Sequence, residues 1–148
     1  MSLGSLLIYG AGGHGRVVAD AAREAGWQLA AWGDGDPARD GQVIGGAPVR
    51  VTTPEAAARL ARNQGYFVVV AIGDNGARRR VFLTLEELGL TFATIVHPRA
   101  VVAASAELGP GTVVFAGGVV NADARLGKNV ILNTAATVDH DGRIGDHA

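Results

Sequence analysis

The sequence predicts an α/β unit followed by a solenoid of stacked β coils, and three observations carry that prediction. From Val96 to Ile144 an aliphatic residue falls on every sixth position: Val96, Val102, Leu108, Val114, Val120, Leu126, Leu132, Val138 and Ile144. Neither a helix, with period 3.6, nor an isolated strand, with period two, repeats on six. A hexapeptide beat marks a parallel β-helix, in which stacked coils turn the repeated aliphatic side chains into the centre of a prism. The first 95 residues instead alternate strand-like apolar runs with helical segments, the pattern of a parallel sheet with helices on its faces. Finally, a glycine-rich loop, Gly10-Ala11-Gly12-Gly13-His14-Gly15, joins the first strand to the first helix.

Each element has a local reason. Leu6, Leu7, Ile8 and Tyr9 form a buried-strand run that the glycine loop ends. Residues 15–25 are helical in pattern, with Val17, Val18, Ala21 and Ala22 on one face and Gly26 as the stop. Residues 28–32 resume a strand, closed by Gly33-Asp34-Gly35-Asp36-Pro37. Thr53 and Pro54 make a helix start, as N-cap and first helical residue. Residues 67–72, uncharged and rich in valine, are the clearest strand. Asn75 is the expected N-cap of a helix that ends near Leu88 at Gly89, and residues 91–95 are the last strand. The result is a small Rossmann-like unit over residues 1–95 and a β-helix over residues 96–148, with the change of pattern at His97-Pro98. Three hexads make one triangular coil of 18 residues, so three coils are expected, with small residues at the corners.

Composition excludes several classes. The 148 residues carry a formal net charge of −1 and no cysteine. There is no basic surface of the kind nucleic acid or an anionic membrane selects, and no disulfide or thiolate metal site. No apolar stretch approaches the roughly 20 residues that cross a bilayer, and the residue 6–9 run is too short for a signal peptide. A cytoplasmic protein is expected. The 22 glycines sit in turns and in the repeat, which argues for tight corners rather than disorder.

The glycine loop matches G-x-G-x-x-G in its required setting, between a strand and a helix. Small residues there let the backbone amides of the helix start approach a phosphate, and the helix dipole favours negative charge. Asp34 and Asp36 end the second strand, where carboxylates accept hydrogen bonds from a ribose or a base. Gly73-Asp74-Asn75 ends the residue 67–72 strand on the same edge of the sheet. The three loops are therefore expected to converge on one crevice that takes a nucleotide-containing ligand.

These motifs, in order, resemble a known family. G-A-G-G-H-G, an acidic loop after the second strand, A-I-G-D-N after a valine-rich strand, V-H-P at the junction, then hexapeptides with I-L-N-T and D-H-D are similar to the bacterial sugar O-/N-acyltransferases of the sialic-acid O-acetyltransferase type. The pattern is nearest to the N-acetyltransferases of UDP-4-amino-sugars. The resemblance implies left-handed β-helices assembled as a homotrimer, acetyl-CoA as co-substrate in the groove between neighbouring helices, and a sugar nucleotide against the N-terminal unit. It implies His140 as catalytic base with Asp141 beside it, and Asn133 as the asparagine of the I-L-N-T stretch. It also implies His14 near the sugar, and Asp34 and Asp36 holding the nucleotide; the loop motif and the shared sheet edge already place Gly10, Gly12, Gly13, Gly15, Gly73 and Asn75 as its other binding residues. Where the family often has three consecutive acids, this chain has Gly35 in the middle.

An imidazole is well suited to take the proton of an attacking amine or hydroxyl, and a neighbouring carboxylate fixes its tautomer. His97 is expected to be structural at the junction and His147 a solvated turn residue. A zinc site on His140, Asp141, Asp146 and His147 gains nothing from the spacing, and no metal is expected. Family members run on for further coils that supply much of the coenzyme A groove. With three coils only, this chain is expected to bind a sugar nucleotide and to transfer acyl groups poorly in isolation. The alternative function is a non-catalytic sugar-nucleotide-binding module. An NAD-binding reading, invited by the glycine loop and Asp34, leaves the hexapeptide repeat without a use.

Overall fold

The structure, a computed structural model, describes residues 1–148. The first unit comprises β1 (Gly4–Tyr9), α1 (Gly13–Glu24), β2 (Trp27–Gly33), β3 (Val43–Ile44), β4 (Ala47–Val51), α2 (Pro54–Gln64), β5 (Phe67–Val70) and α3 (Asn75–Glu87). The sheet order is β3-β4-β2-β1-β5, parallel except for the β3–β4 pair. Covered on both faces, β1 has no polar side of its own, which is why it reads as a continuous apolar run. Its side chains divide by period two: Leu6 and Ile8 pack with Val18, Trp32 and Val69, whereas Leu7 and Tyr9 pack with Ala57, Ala61, Phe82 and Leu85.

Caps set the helix limits. Thr53 accepts a hydrogen bond from the Ala56 amide at 3.1 Å, Pro54 opens α2, and Gly65 ends it at φ 70°. The cap of α3 is Asp74, which accepts from the Ala77 amide at 2.7 Å, so Asn75 is the first helical residue rather than the N-cap. Both residue types cap well, and the deciding fact is which one lies three residues before a free amide. On α1 the buried face is Val18, Ala19, Ala21 and Ala22. Val17 is exposed, because successive helical residues turn by about 100° and Val17 falls outside the stripe.

Two strands come without a sequence expectation. β3 and β4 form a hairpin about Gly45-Gly46, both with positive φ, a Gly-Gly turn between apolar runs. Residues 91–95 do not form a strand of this sheet. Phe92 makes a single parallel bridge to Val68, and Ile95 already belongs to the first coil.

That coil begins at β6 (Ile95–Val96) and continues through β7 (Val101–Val102), β8 (Glu107–Leu108), β9 (Val113–Val114), β10 (Val119–Val120), β11 (Arg125–Leu126), β12 (Ile131–Leu132), β13 (Thr137–Val138) and β14 (Arg143–Ile144). They stack as three parallel sheets, β6-β9-β12, β7-β10-β13 and β8-β11-β14. Val101 pairs with Val119 and Val119 with Thr137, so one coil takes 18 residues. The second residue of every strand is the aliphatic beat. Val114, Val120, Leu126, Leu132 and Val138 are buried in the prism, with Val96, Val102, Leu108 and Ile144 packed at its ends. Left-handed backbone recurs every six residues at Asp123, Asn129, Ala135, Asp141 and His147. Asp and Asn tolerate this conformation better than other side chains, since a short polar group bonds locally.

The face β6-β9-β12 lies against the first unit, for Ile95, Val113 and Phe115 belong to the same apolar core as Leu6, Val18 and Trp32. No helix is long and apolar enough to cross a membrane.

Candidate functional site

The glycine loop has two kinds of glycine. At Gly10, φ is 119° and a Cβ would meet the Ala71 carbonyl oxygen at 2.5 Å; at Gly15 it would meet the Gly10 carbonyl oxygen at 1.9 Å. Backbone packing therefore requires these two. Gly12 has nothing within 4 Å, and Gly13 has only the Arg16 guanidinium at 4.0 Å. Their open side faces a crevice of about 360 Å³ lined by Gly10, Gly12, Gly13, His14, Asp34, Ala71, Ile72 and Gly73. No side chain caps the start of α1, so its first amides are free for an anionic ligand.

Asp34 lines the crevice and also builds it. Its Oδ2 accepts from the Ala11 amide at 2.8 Å and its Oδ1 from the Asp36 amide at 2.9 Å, with Arg39 Nε 3.6 Å away. Asp36 accepts from the Ala38 amide at 3.0 Å, capping the short 3-10 turn Pro37–Arg39, and it does not line the crevice. His14 lies in the first turn of α1, edge-on to Phe115 with ring centroids 5.6 Å apart. Its Nε2 is buried with no partner. Burial first, and the Arg78 charge second, push its pKa below the ordinary histidine value. At neutral pH the crevice therefore holds an uncharged imidazole with an unspent nitrogen.

The expected convergence of three loops holds for Gly73 but not for Asn75. Asn75 accepts from Arg78 Nη2 at 2.8 Å and borders a separate cavity of about 680 Å³ with Arg79, Leu83, Lys128, Asp146 and His147. One residue inside α3, its side chain turns away from the crevice.

His140 and Asp141 sit at the corner between β13 and β14. His140 Nδ1 and Asp141 Oδ2 are 2.8 Å apart, and both side chains are largely exposed, at 80% and 73%. A carboxylate only accepts, so Nδ1 carries the proton and Nε2 is free. The hydrogen bond to Asp141, then its charge, raises the His140 pKa above the ordinary histidine value. Asn133 is exposed at another corner. His140, Asp141 and Asn133 line none of the chain's cavities. Within one chain, they are not brought to the glycine-loop crevice.

Three further residues complete the picture. Arg78, without a sequence expectation, is 1% exposed; its signal was the i, i+4, i+7 spacing with Phe82 and Leu85, the other buried residues of α3. His147 is a turn residue as expected, but half-buried rather than solvated. It packs edge-on to Phe82 at 5.4 Å, and its Nδ1 accepts from Asn129 Nδ2 at 2.8 Å. His97 holds the junction by accepting from the Arg99 amide at 3.0 Å. No three of the His, Asp and Glu side chains gather as a metal-ligand set.

Fold and crevice together define a two-part class: a glycine-loop α/β unit packed against a hexapeptide β-helix. Residues 5–85 match the family described as PglD N-terminal domain, and the chain belongs to it. The chain is 36% identical over 114 residues to UDP-N-acetylbacillosamine N-acetyltransferase of Bacillus subtilis (strain 168), covering 74% of this chain and 50% of that protein. Among solved structures it is similar to the acetyltransferase domain of PglB from Neisseria gonorrhoeae FA1090, with TM-score 0.85 and 38% identity over 97% of this chain and 68% of that one. It is also similar to PerB from Caulobacter crescentus in complex with CoA and GDP-perosamine, with TM-score 0.87 and 38% identity over 99% of this chain and 68% of that one. The chain thus spans half the length of its curated relative.

Proposed function

We propose that this chain belongs to an acetyl-CoA-dependent acetyltransferase that acts on an amino or hydroxyl group of a nucleotide-linked bacterial sugar. Residues 1–95 hold the sugar nucleotide, and residues 96–148 carry the base. The observation that carries the reading is the His140–Asp141 hydrogen bond of 2.8 Å at an exposed β-helix corner, which leaves Nε2 unoccupied.

Acyl transfer from a thioester needs a nucleophile freed of its proton. Nε2 of His140 takes that proton while the sugar amine or hydroxyl attacks the thioester carbonyl directly, with no covalent enzyme intermediate. Asp141 holds the Nδ1–H tautomer and stabilises the imidazolium that forms. The thiolate of coenzyme A then leaves, carrying the electron pair of the broken C–S bond. The nucleotide phosphates lie on the free amides at Gly12 and Gly13, and His14 lies near the sugar. The relatives support this assignment of substrates: one is named for UDP-N-acetylbacillosamine, and another was solved with CoA and GDP-perosamine.

His140, Asp141 and Asn133 lie outside every cavity of the single chain, which favours a site completed by a neighbouring copy in a homotrimer. Asp36 and Asn75, which do not face the crevice, act on the nucleotide only through the loops they shape. The enzyme works in the cytoplasm, where acetyl-CoA and nucleotide sugars are available.

The test is acetyl transfer from acetyl-CoA to a UDP- or GDP-linked amino sugar by the protein and its His140→Ala variant. The expected result is a loss of about 10²–10⁴ in kcat with sugar-nucleotide affinity unchanged; equal turnover removes His140 as base. A second reading, a non-catalytic sugar-nucleotide-binding module, is favoured by the crevice being formed within one chain while His140 is not beside it. That reading predicts binding without transfer in wild type and variant alike.

A further inference from the structure

Arg78 is the most buried charged side chain in the molecule, and none of the ion pairs includes it. An unpaired charge taken out of water is costly unless its hydrogen-bonding groups are fully used. Here they are. Nη1 donates to the Ile72 and Gly73 carbonyls at 3.1 and 3.2 Å, which belong to the wall of the glycine-loop crevice. Nη2 donates to Asn75 Oδ1 at 2.8 Å and to the His147 and Ala148 carbonyls at 2.9 and 3.1 Å; Nε donates to the Asn129 carbonyl at 3.2 Å. One planar group thus grips the crevice wall on one side and two stacked β-helix corners on the other.

We propose that Arg78 is a positioning residue that fixes the Ile72–Gly73 wall of the crevice to the β-helix corners at Asn129 and His147, so that a nucleotide bound in the crevice is held in register with the coils. This rests on the reading of the crevice as a nucleotide site. The fork geometry is what matters. A guanidinium spreads five N–H groups over a plane, whereas a lysine ammonium presents three from one point and cannot reach both sides. The same guanidinium acts on His14 through space, since its positive charge adds to burial in keeping that imidazole neutral.

Arg78→Lys keeps the charge and removes the fork; Arg78→Gln removes both. A merely structural arginine would lower the unfolding temperature and leave the folded protein's nucleotide affinity untouched. The full chain and both variants are titrated with UDP and with GDP well below their unfolding temperatures, and the His14 ring is followed by NMR across pH. Arg78→Lys is expected to bind the preferred nucleotide at least about tenfold more weakly with the His14 midpoint in place. Arg78→Gln is expected to bind as weakly and to move that midpoint upward. Wild-type affinity in a folded Arg78→Lys overturns the proposal.

If neither variant folds, amide hydrogen exchange on the wild type decides. Nucleotide must slow exchange at residues 71–75 and also at 128–130 and 146–148; protection confined to the crevice overturns the coupling. A wild type that binds neither nucleotide defeats the function proposed above; the Arg78 link is then decided without ligand, since amide exchange in a folded Arg78→Lys must quicken at residues 71–75 and at 128–130 together, and wild-type exchange at both overturns it.

Discussion

Gly15→Ala separates packing from propensity. On helix propensity alone, alanine in place of glycine inside α1 stabilises by up to about 1 kcal/mol. The geometry opposes this. The new methyl carbon lands 1.9 Å from the Gly10 carbonyl oxygen and 2.9 Å from its carbon, where ordinary contact begins at 3.4 Å. Both obstacles are backbone, and the third neighbour, Trp32 Cζ3 at 3.2 Å, belongs to a ring that is 1% exposed. Nothing flexible can yield, so the loop or the helix must shift. Overpacking costs about 1–3 kcal/mol, and the upper end applies when only backbone can give way. Against the propensity gain, the net loss is about 2 kcal/mol, or roughly 4–8 °C in Tm for a chain of this size. Gly12→Ala is the matched control, with a φ of −82° and no atom within 4 Å. Its stability should fall by no more than about 1 kcal/mol, the cost of alanine in place of glycine at the N-cap of α1, while its methyl stands on the open side of the crevice and weakens nucleotide binding. Circular-dichroism melts of both variants, with calorimetric titration of Gly12→Ala, read all of this. A Gly15→Ala melt at or above the wild-type temperature would refute the packing argument, and undiminished binding by Gly12→Ala would refute the assignment of the open face.

Other expectations follow from the β-helix. Leu126→Ala, which empties a prism-centre position that is 4% exposed, should cost about 2–5 kcal/mol in urea unfolding; a loss under 1 kcal/mol would mean the coils collapse onto the gap. Asp141 sits at φ 58°, so Asp141→Gly should keep the fold while stripping His140 of its partner. Because Asp141 raises the His140 pKa above 6.5, and only the neutral ring accepts a proton, kcat/KM should fall as pH drops through that raised value. In Asp141→Gly the acid limb should move to lower pH; a limb that stays in place would detach Asp141 from the base.

The β-helix was legible almost residue by residue, because one physical requirement, an aliphatic side chain at each step into a narrow prism, repeats on six. β5 and the Leu6–Tyr9 part of β1 were legible for a similar reason, since they are apolar throughout and largely buried; β2 was legible despite an exposed Gln28, from the apolar run that surrounds it. What escaped was set by contacts distant in sequence. Locally, whether Asp74 or Asn75 caps α3 depends on a single residue of register. Residues 91–95 look like a strand, yet Ile95 pairs with Val113 of the next coil rather than extending the sheet. The glycine loop was legible as a motif, but not its division into Gly10 and Gly15, which backbone demands, and Gly12 and Gly13, which stand open. Asp36 reads as a ligand for a nucleotide and serves a turn. Arg78 reads as one of three surface arginines, and only the tertiary fold shows that its acceptors lie up to 70 residues away.

Calorimetric titration of the chain with UDP- and GDP-linked amino sugars asks whether the glycine-loop crevice takes a nucleotide-linked sugar. The expected result is saturable binding of one of the two, one per chain, that Gly12→Ala weakens and NAD does not compete away. No heat with either sugar nucleotide, or binding that Gly12→Ala leaves unchanged, would contradict it.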